Sequence, residues 1–302
     1  MTDLEKNQLL RYIRPVHLIS ALTLYLIGAG LARYLGARID IVVLGWGFSW
    51  LSCLFAGVFL LGDYFNLPFV DPVFPTSLAI QQDGGQPEAS SSNLVLFGAL
   101  AFYSAAGVLT VFMGLRGLIT PAVGAVLMGC FGFSALLVAP GLNLKFSGIG
   151  EFVVSICLVV FPPALSFLTQ YGEFHRFLTL SIFPLFPLHL ALILTLCLRS
   201  FPEDIRANRK TLIVRLGWVR GVFLHNMLLL SAFVLFSASL LFGLPLRIIG
   251  PVFLTMIPAG TLIWMYSGLE HGAPVRWPLI IFLAVVVFFL PLYLIAFTAW
   301  VF

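Results

Sequence analysis

The sequence predicts an all-α membrane protein, a nine-transmembrane-helix bundle. The first observation is composition: of the 302 residues, 61% are hydrophobic and only 9% are charged, with a mean hydropathy of +1.08. A soluble domain carries about 25% charged residues. The second is that the apolar residues form long runs, and about 20 of them suffice to cross a bilayer. These observations exclude a soluble globular enzyme, a disordered chain and a secreted disulfide scaffold.

Each predicted span is a charge-poor apolar run that ends at a polar break. In chain order the nine spans are 15–35, 41–62, 94–114, 118–138, 149–169, 178–199, 221–242, 246–267 and 278–301. The basic start of the first run is like that of a signal peptide, but the run is too long and has no clear cleavage site. The sixth and eighth spans contain prolines, which membrane helices tolerate when neighbours satisfy the freed carbonyl groups. We expect one integral membrane domain over residues 1–302.

The basic residues predict the orientation of the bundle. With the N-terminus in the cytoplasm, eleven of the 16 Lys and Arg residues lie on the cytoplasmic side and five on the other, as the positive-inside rule requires. We therefore expect a multi-pass protein of the cell (inner) membrane with a cytoplasmic N-terminus. Ten of the 12 acidic residues lie on that same side. Because carboxylates contribute little to topology, their concentration indicates a chemical role.

Two predicted cytoplasmic loops differ from the others in length and charge. They cover residues 63–93 and 200–220, and every other loop is short. Binding and catalytic residues are disproportionately found on loops, and long ordered loops are often functional. We therefore expect the function to lie in these two loops. The alternative, that their charged residues only cap helices and set the orientation, stays open.

Both loops offer oxygen ligands near the end of a span. A spacing of four residues would place Gly62 with Asn66, and Asp204 with Asn208, on shared helical faces if the helices continue. Such a group suits Mg²⁺, which takes a few carboxylates together with phosphate oxygens of a substrate. Cations that could neutralise a diphosphate lie nearby in the sequence. They are Lys145, Arg209 and Lys210.

The same segments are similar to the motifs of a known family. Residues 11–15 (RYIRP) resemble its Arg-Pro entry into the first helix, and 63–65 (DYF) lie where it has N-D-Y-[YF]-D. Residues 140–151 (PGLNLKFSGIGE) are the most specific match, to P-x-x-L-K-Y-x-G-L-G-E, and 201–217 resemble the second aspartate-rich motif. The sequence thus resembles the UbiA superfamily of intramembrane prenyltransferases, especially its 1,4-dihydroxy-2-naphthoate polyprenyltransferase branch.

The resemblance implies a fold, an activity and a site. Members of the family form a nine-helix bundle that transfers a polyprenyl group from a polyprenyl diphosphate to an aromatic, quinone-precursor acceptor, with Mg²⁺ as cofactor. The implied partners are that diphosphate, the acceptor and membrane lipid, and no nucleic acid. The implied catalytic residues are Asp63 and Asp204. The implied diphosphate contacts are Arg14, Lys145, Arg209 and Lys210. The implied metal ligands are Asp63, Asn66, Asp71, Asp204 and Asn208.

The sequence departs from the family pattern at both aspartate-rich motifs. Gly62 replaces an Asn, Asn66 and Asn208 replace aspartates, and the second motif lacks its glycine before Lys210. Two Asp-to-Asn changes remove two negative charges and should lower the affinity for Mg²⁺. Three functions stay open. They are an active prenyltransferase or membrane terpene cyclase, a non-catalytic homologue that binds a quinone, an isoprenoid or a protein partner, and a transporter or structural subunit.

Some residues outside these positions also allow two interpretations. Glu151 at the start of the fifth span is either a structural cap or a catalytic carboxylate. His189 in the sixth span either faces a cavity and binds an acceptor or packs between helices. His225 is predicted to lie at the membrane interface. We interpret the four scattered cysteines as helix-packing residues; they are Cys53, Cys130, Cys157 and Cys197.

Overall fold

The protein is described by a computed structural model that covers residues 15–65, 89–138, 148–206, 208–270 and 275–302. All regular secondary structure in these ranges is helical. The α-helices are α1 Pro15–Tyr34, α2 Ile41–Tyr64, α3 Ala89–Leu115, α4 Pro121–Val138, α5 Gly150–Tyr171, α6 Arg176–Ile182, α7 Leu185–Arg206, α8 Leu212–Leu216, α9 Trp218–Leu241, α10 Leu246–Ile249, α11 Met256–Glu270 and α12 Trp277–Val301. A 3₁₀ helix, Gly250–Thr255, connects α10 to α11.

The lengths and compositions of the helices fit a protein that crosses a membrane many times. Eight helical stretches within the described ranges are long and apolar enough to cross a bilayer. A further apolar helix, Leu18–Tyr34, is shorter. The predicted all-α membrane class is therefore confirmed, whereas a count of nine crossings stays a prediction.

Prolines divide two of the predicted spans into shorter helices. The sixth span is split into α6 and α7, because Pro184 lies in the turn between them. The eighth is split into α10, the 3₁₀ helix and α11, with Pro251 at the second position of the 3₁₀ helix. Proline lacks the amide hydrogen that a continuous helix needs, but it fits the first turn, where that hydrogen has no intrahelical partner.

Helices α5 and α7 form the interior of the bundle. About two thirds or more of their apolar spans is buried (67% and 72%), against at most 39% for the other six candidate spans. Helix α5 packs against α1, α2, α4 and α7, while α12 packs against α1 and α7. The contact of α5 with α1 is close: a Cβ atom on Gly28 would lie 2.1 Å from the Pro163 carbonyl oxygen. Small residues allow such close backbone approaches between membrane helices.

The start of α5 bonds to the loop after α7, and Phe201 near the end of α7 contacts Trp218 at the start of α9. The start of α2 lies at the other end of α5, beside Gln170, so the end of α2 lies at the same end of the bundle as the end of α7. We call this the motif end: it comprises the C-terminal ends of α2 and α7 and the N-terminal ends of α5 and α9. At the opposite end, the start of α2 contacts the end of α5. There the Gln170 side chain accepts a hydrogen bond from the Asp40 amide at 2.8 Å and donates one to the Asp40 carbonyl oxygen at 3.2 Å.

Candidate functional site

The second aspartate-rich segment ends helix α7 and then turns sharply. The helix stops at Arg206, and Asn208 has a φ of +52°, in the left-handed region. Asn adopts this conformation more readily than most residues and commonly ends helices in this way. The Asn208 side chain is exposed. The helical spacing predicted for Asp204 and Asn208 therefore does not apply, because the helix ends between them.

Asp204 is buried and both of its carboxylate oxygens have partners. Its side chain is 4% exposed. The Ser200 hydroxyl donates a hydrogen bond to Oδ2 at 2.9 Å, and Nη1 of Arg209 donates one to Oδ1 at 3.2 Å. The Arg209 amide also donates to the Asp204 carbonyl oxygen at 2.9 Å. The segment thus forms a compact acid–base pair from residues that are close in the sequence.

Two of the predicted diphosphate contacts are Arg209, which belongs to this pair, and the next residue, Lys210. The Arg209 side chain is 15% exposed, so its guanidinium group can still be reached from outside. Lys210 follows it and is exposed. Thr211 then caps the short helix α8, because its side chain accepts a hydrogen bond from the Val214 amide at 3.4 Å. Helix α8 therefore begins directly after the two cations.

Glu151 connects the start of α5 to this loop. It is only 6% exposed, and Oε1 accepts a hydrogen bond from the Leu212 amide at 3.0 Å. Glu151 therefore caps α8, a helix far away in the sequence, which the sequence did not predict. Its second oxygen, Oε2, is buried and has no hydrogen-bond partner among the described residues.

The approach of α5 to this loop depends on Gly148. Its φ is +72°, and a Cβ atom there would lie 3.2 Å from the Leu212 Cα atom. Residues 148–151 belong to the segment whose match to the family pattern is most specific. The structure therefore brings the end of that segment against the loop that follows Asp204.

Part of the predicted site falls beyond the described residues. Asp63 belongs to the last turn of α2, which ends at the motif end, but its side chain is outside the description. The other predicted site residues outside the described ranges are Arg14, Asn66, Asp71 and Lys145. The structure thus brings Asp204, Arg209 and Lys210 together, and their distance to the first motif stays a prediction.

The described part of the site does not fit a magnesium ion. No group of three His, Cys, Asp or Glu side chains suited to a metal occurs within the described ranges. Both Asp204 oxygens already accept hydrogen bonds, one of them from a guanidinium whose positive charge would repel a cation. Asn208 is neutral and exposed. Metal ligation by Asp204 and Asn208 therefore has no support here, and ligation by Asp63, Asn66 and Asp71 stays a prediction.

A narrow apolar cleft lies deeper in the bundle, between α2, α4 and α5. The side chains that line it are Leu54, Phe55, Val58, Cys130, Ser134, Leu137, Cys157 and Phe161. Val58 precedes Asp63 by five residues on α2, which corresponds to about 7 Å along a helix axis. The cleft thus approaches the motif end from the hydrocarbon side.

The four cysteines are free thiols, and three of them are buried, as expected for helix-packing residues.

Two histidines are buried inside the bundle. His189 Nδ1 lies 3.0 Å from the Ser155 hydroxyl, and its ring packs on Phe288, which supports helix packing. The side chain of His225 is fully buried within the bundle, and its location at the depth of the membrane interface stays a prediction. Its Nε2 atom lies 3.1 Å from the Thr195 hydroxyl. A histidine within an apolar span was the only sequence signal for this polar contact.

Comparison of the structure with solved structures identifies the fold. No protein-family model matches the sequence, and no curated protein sequence matches it either. The fold is similar to that of a UbiA homologue from Archaeoglobus fulgidus bound to GPP and Mg²⁺, with a TM-score of 0.63 and 16% identity over 97% of this chain and 99% of that one. The same homologue bound to DMAPP and Mg²⁺ has a TM-score of 0.63 and 15% identity, over 97% and 98%.

A structure of a digeranylgeranylglyceryl phosphate synthase is also similar. Its TM-score is 0.59 and its identity is 13%, over 98% of both chains. At these identities the likeness shows the fold alone. The class is therefore an all-helical, multi-pass membrane protein with the fold of the UbiA homologues, and the similarity covers nearly the whole described bundle.

Proposed function

We propose that this protein transfers a polyprenyl group from a prenyl diphosphate to an aromatic, quinone-precursor acceptor within the membrane. The observation that carries the proposal is that the loop with Arg209 and Lys210 is bonded to the start of α5 at the motif end, through the Leu212 amide and Glu151. This grouping occurs in a bundle with the fold of homologues bound to GPP or DMAPP. The proposed partners are a polyprenyl diphosphate, an aromatic acceptor and the surrounding lipid.

The cations at the motif end account for binding and departure of the diphosphate. Arg209 provides a planar fork of donors, and the exposed Lys210 provides a second positive charge beside it. When the allylic C–O bond breaks, the diphosphate leaves with the electron pair, and its additional charge is stabilised by these cations. A ring carbon of the acceptor then bonds to the allylic carbon, and the ring loses a proton. Arg14 and Lys145 are further proposed contacts.

The apolar bundle accounts for the choice of a prenyl substrate. The helices that surround the motif end are long and apolar. An isoprenoid tail gains free energy when it leaves water for an apolar environment. An interior without water also protects an allylic cation from hydrolysis. We accordingly propose that the protein acts in the cell (inner) membrane, with its motif end and N-terminus towards the cytoplasm.

One observation favours a second candidate, a non-catalytic homologue that binds a quinone, an isoprenoid or a protein partner. Asn66 and Asn208 carry no charge, and Asp204 is occupied by Ser200 and Arg209. A site with fewer free carboxylates can bind a lipid without ionising a diphosphate. Magnesium held by Asp63, Asn66 and Asp71 is part of the first candidate and not of the second.

Diphosphate release distinguishes these candidates. The purified full-length protein in lipid vesicles is given prenyl diphosphates of increasing chain length, with and without an aromatic acceptor. Release that depends on the acceptor is expected from a transferase, and release without an acceptor indicates a terpene cyclase. Arg209→Ala should reduce the rate at least tenfold, since one charge-assisted contact is lost.

The matched control is Arg206→Ala, because Arg206 is an exposed arginine in the same segment. Its rate should stay within twofold of the wild type. No release at any chain length, together with a quinone or isoprenoid that copurifies with the protein, would contradict the transferase and support the binding protein.

A further inference from the structure

We propose that Asp204 is a positioning residue for Arg209 and does not hold a metal ion. The Arg209 guanidinium, oriented by Asp204, binds the terminal phosphate of the prenyl diphosphate. This inference rests on the proposed function and assigns a different role to one of its residues. The resemblance to the family implies that Asp204 ligates a metal, whereas the contacts of Asp204 are those of an anchor for a guanidinium group.

The carboxylate of Asp204 has a hydrogen-bond donor on each oxygen. Ser200 donates to one oxygen at 2.9 Å and Arg209 donates to the other at 3.2 Å. The Asp204 side chain is 4% exposed, so little of the carboxylate remains available for a ligand from outside. A divalent cation bound to Oδ1 would also lie close to the guanidinium charge and be repelled by it.

The guanidinium of Arg209 keeps donors that Asp204 does not use. An arginine has five N–H donors in a fixed fork, and one of them is used by Asp204. No other hydrogen bond of the guanidinium occurs among the described residues. The backbone of Arg209 is also held, since its amide donates to the Asp204 carbonyl oxygen at 2.9 Å. It is nevertheless 15% exposed, so an anion can reach the remaining donors.

The charges of the segment that contains Asp204 and Arg209 also favour an anion. The second family aspartate is Asn208 here, so Arg209 faces one nearby motif carboxylate instead of two. Residues 203–210 carry three basic and two acidic side chains, and Lys210 is among the exposed basic ones. The segment therefore has a net positive charge, which favours an anion over a cation. Arginine matches a phosphate with two parallel hydrogen bonds, which gives the contact orientation as well as strength.

Binding of an inert substrate analogue tests this assignment. The probe is geranyl S-thiolodiphosphate, whose binding to the full-length protein in detergent is measured by calorimetry over a series of Mg²⁺ concentrations, including EDTA. Asp204→Asn should weaken binding about tenfold, as expected for one charge-assisted contact. The Mg²⁺ dependence of binding should stay within twofold of the wild type, because Asp204 holds no metal.

A double-mutant cycle gives the second readout. If Asp204 acts only through Arg209, the double variant Asp204→Asn/Arg209→Gln binds the analogue no more weakly than Arg209→Gln alone. Arg209→Lys keeps the charge but loses the fork, and should weaken binding several-fold at an unchanged thermal midpoint. Arg206→Gln is the matched control and should bind as the wild type does.

Two results would overturn the assignment. One is a tenfold or larger rise in the Mg²⁺ concentration that Asp204→Asn needs for half-maximal binding. The other is a double variant whose loss equals the product of the single losses. If the wild type binds no analogue with or without Mg²⁺, the proposed function itself fails, which is a different outcome. Should Asp204→Asn not fold, the same comparison between Arg209→Gln and Arg209→Lys still decides whether the fork binds the phosphate.

Discussion

Asp204 and Glu151 are both buried carboxylates at the motif end, but they are held in different ways. Asp204 has partners on both oxygens, and these come from four and five residues away in the chain. Glu151 has one hydrogen bond, to an amide 61 residues away, and its second oxygen has no partner in the described part of the chain. One carboxylate organises its own segment, and the other joins two distant segments.

This difference separates two tasks at the site. The Asp204–Arg209 pair is local, so it fixes the orientation of the Arg209 guanidinium relative to the end of α7. The Glu151–Leu212 bond is long-range, so it determines where the loop lies relative to α5. A site for a charged head group needs both, because a well-oriented guanidinium is useful only at the correct place.

The largest expected effect comes from removal of one member of the local pair. Arg209→Ala leaves the buried Asp204 carboxylate with only the Ser200 hydroxyl, and should lower the free energy of unfolding by about 3 kcal/mol. The measurement is unfolding in detergent micelles, followed by circular dichroism. Adding Asp204→Asn should restore most of the loss, because the uncompensated charge is then gone. A double variant as unstable as Arg209→Ala would contradict a coupled pair.

A somewhat smaller effect is expected at the junction between the two segments. Gly148→Ala forces a left-handed φ of +72° on a residue with a Cβ atom, which would lie 3.2 Å from the Leu212 Cα atom. We expect a loss of about 2 kcal/mol in the free energy of unfolding. The control is Gly107→Ala in α3, where nothing lies within 4 Å of the added Cβ atom. Equal stabilities of the two variants would argue against the close approach.

The long-range bond is tested at Glu151 itself. Glu151→Ala removes the acceptor of the Leu212 amide and should cost about 1–2 kcal/mol of stability. Glu151→Gln keeps a carbonyl oxygen for this amide, so its loss should be less than half as large. Hydrogen exchange of the Leu212 amide, read by mass spectrometry, should rise in the first variant only. Equal exchange in both variants would show that the bond does not hold the loop.

The smallest effect is expected from the neutral partner of Asp204. Ser200→Ala removes one hydroxyl hydrogen bond to Oδ2 and should lower stability by about 1 kcal/mol. The control is Ser231→Ala, because the Ser231 hydroxyl donates only to a carbonyl oxygen of its own helix, at 2.8 Å. If the two variants are equally stable, the hydroxyl of Ser200 contributes no more to Asp204 than a helical serine does to its backbone.

Much of the fold could be predicted from the sequence, because bilayer crossing imposes a one-dimensional signal. The predicted fifth span 149–169 corresponds to helix Gly150–Tyr171, and the ninth span 278–301 corresponds to Trp277–Val301. The breaks in the sixth and eighth spans were not predicted. A proline in a membrane helix is tolerated or disruptive according to the neighbours that satisfy its carbonyl groups, and the sequence does not name those neighbours.

The site was predictable only in its residue types. Spacing placed Asp204 and Asn208 on one helical face, whereas α7 ends at Arg206 and Asn208 adopts a left-handed backbone. The burial of His225 was likewise not predicted, since it depends on which helices surround the ring. Both differences arise where a local pattern is extended past a point that a tertiary contact determines.

The sequence by itself determined that the chain is a helical membrane protein with acids and bases concentrated on one side, because hydrophobicity and charge act residue by residue. Only the tertiary structure decided that Glu151 is buried and caps helix α8 across 61 residues. The physical reason is that a buried carboxylate must find donors in three dimensions, and which donors are near depends on how α5 and α7 pack.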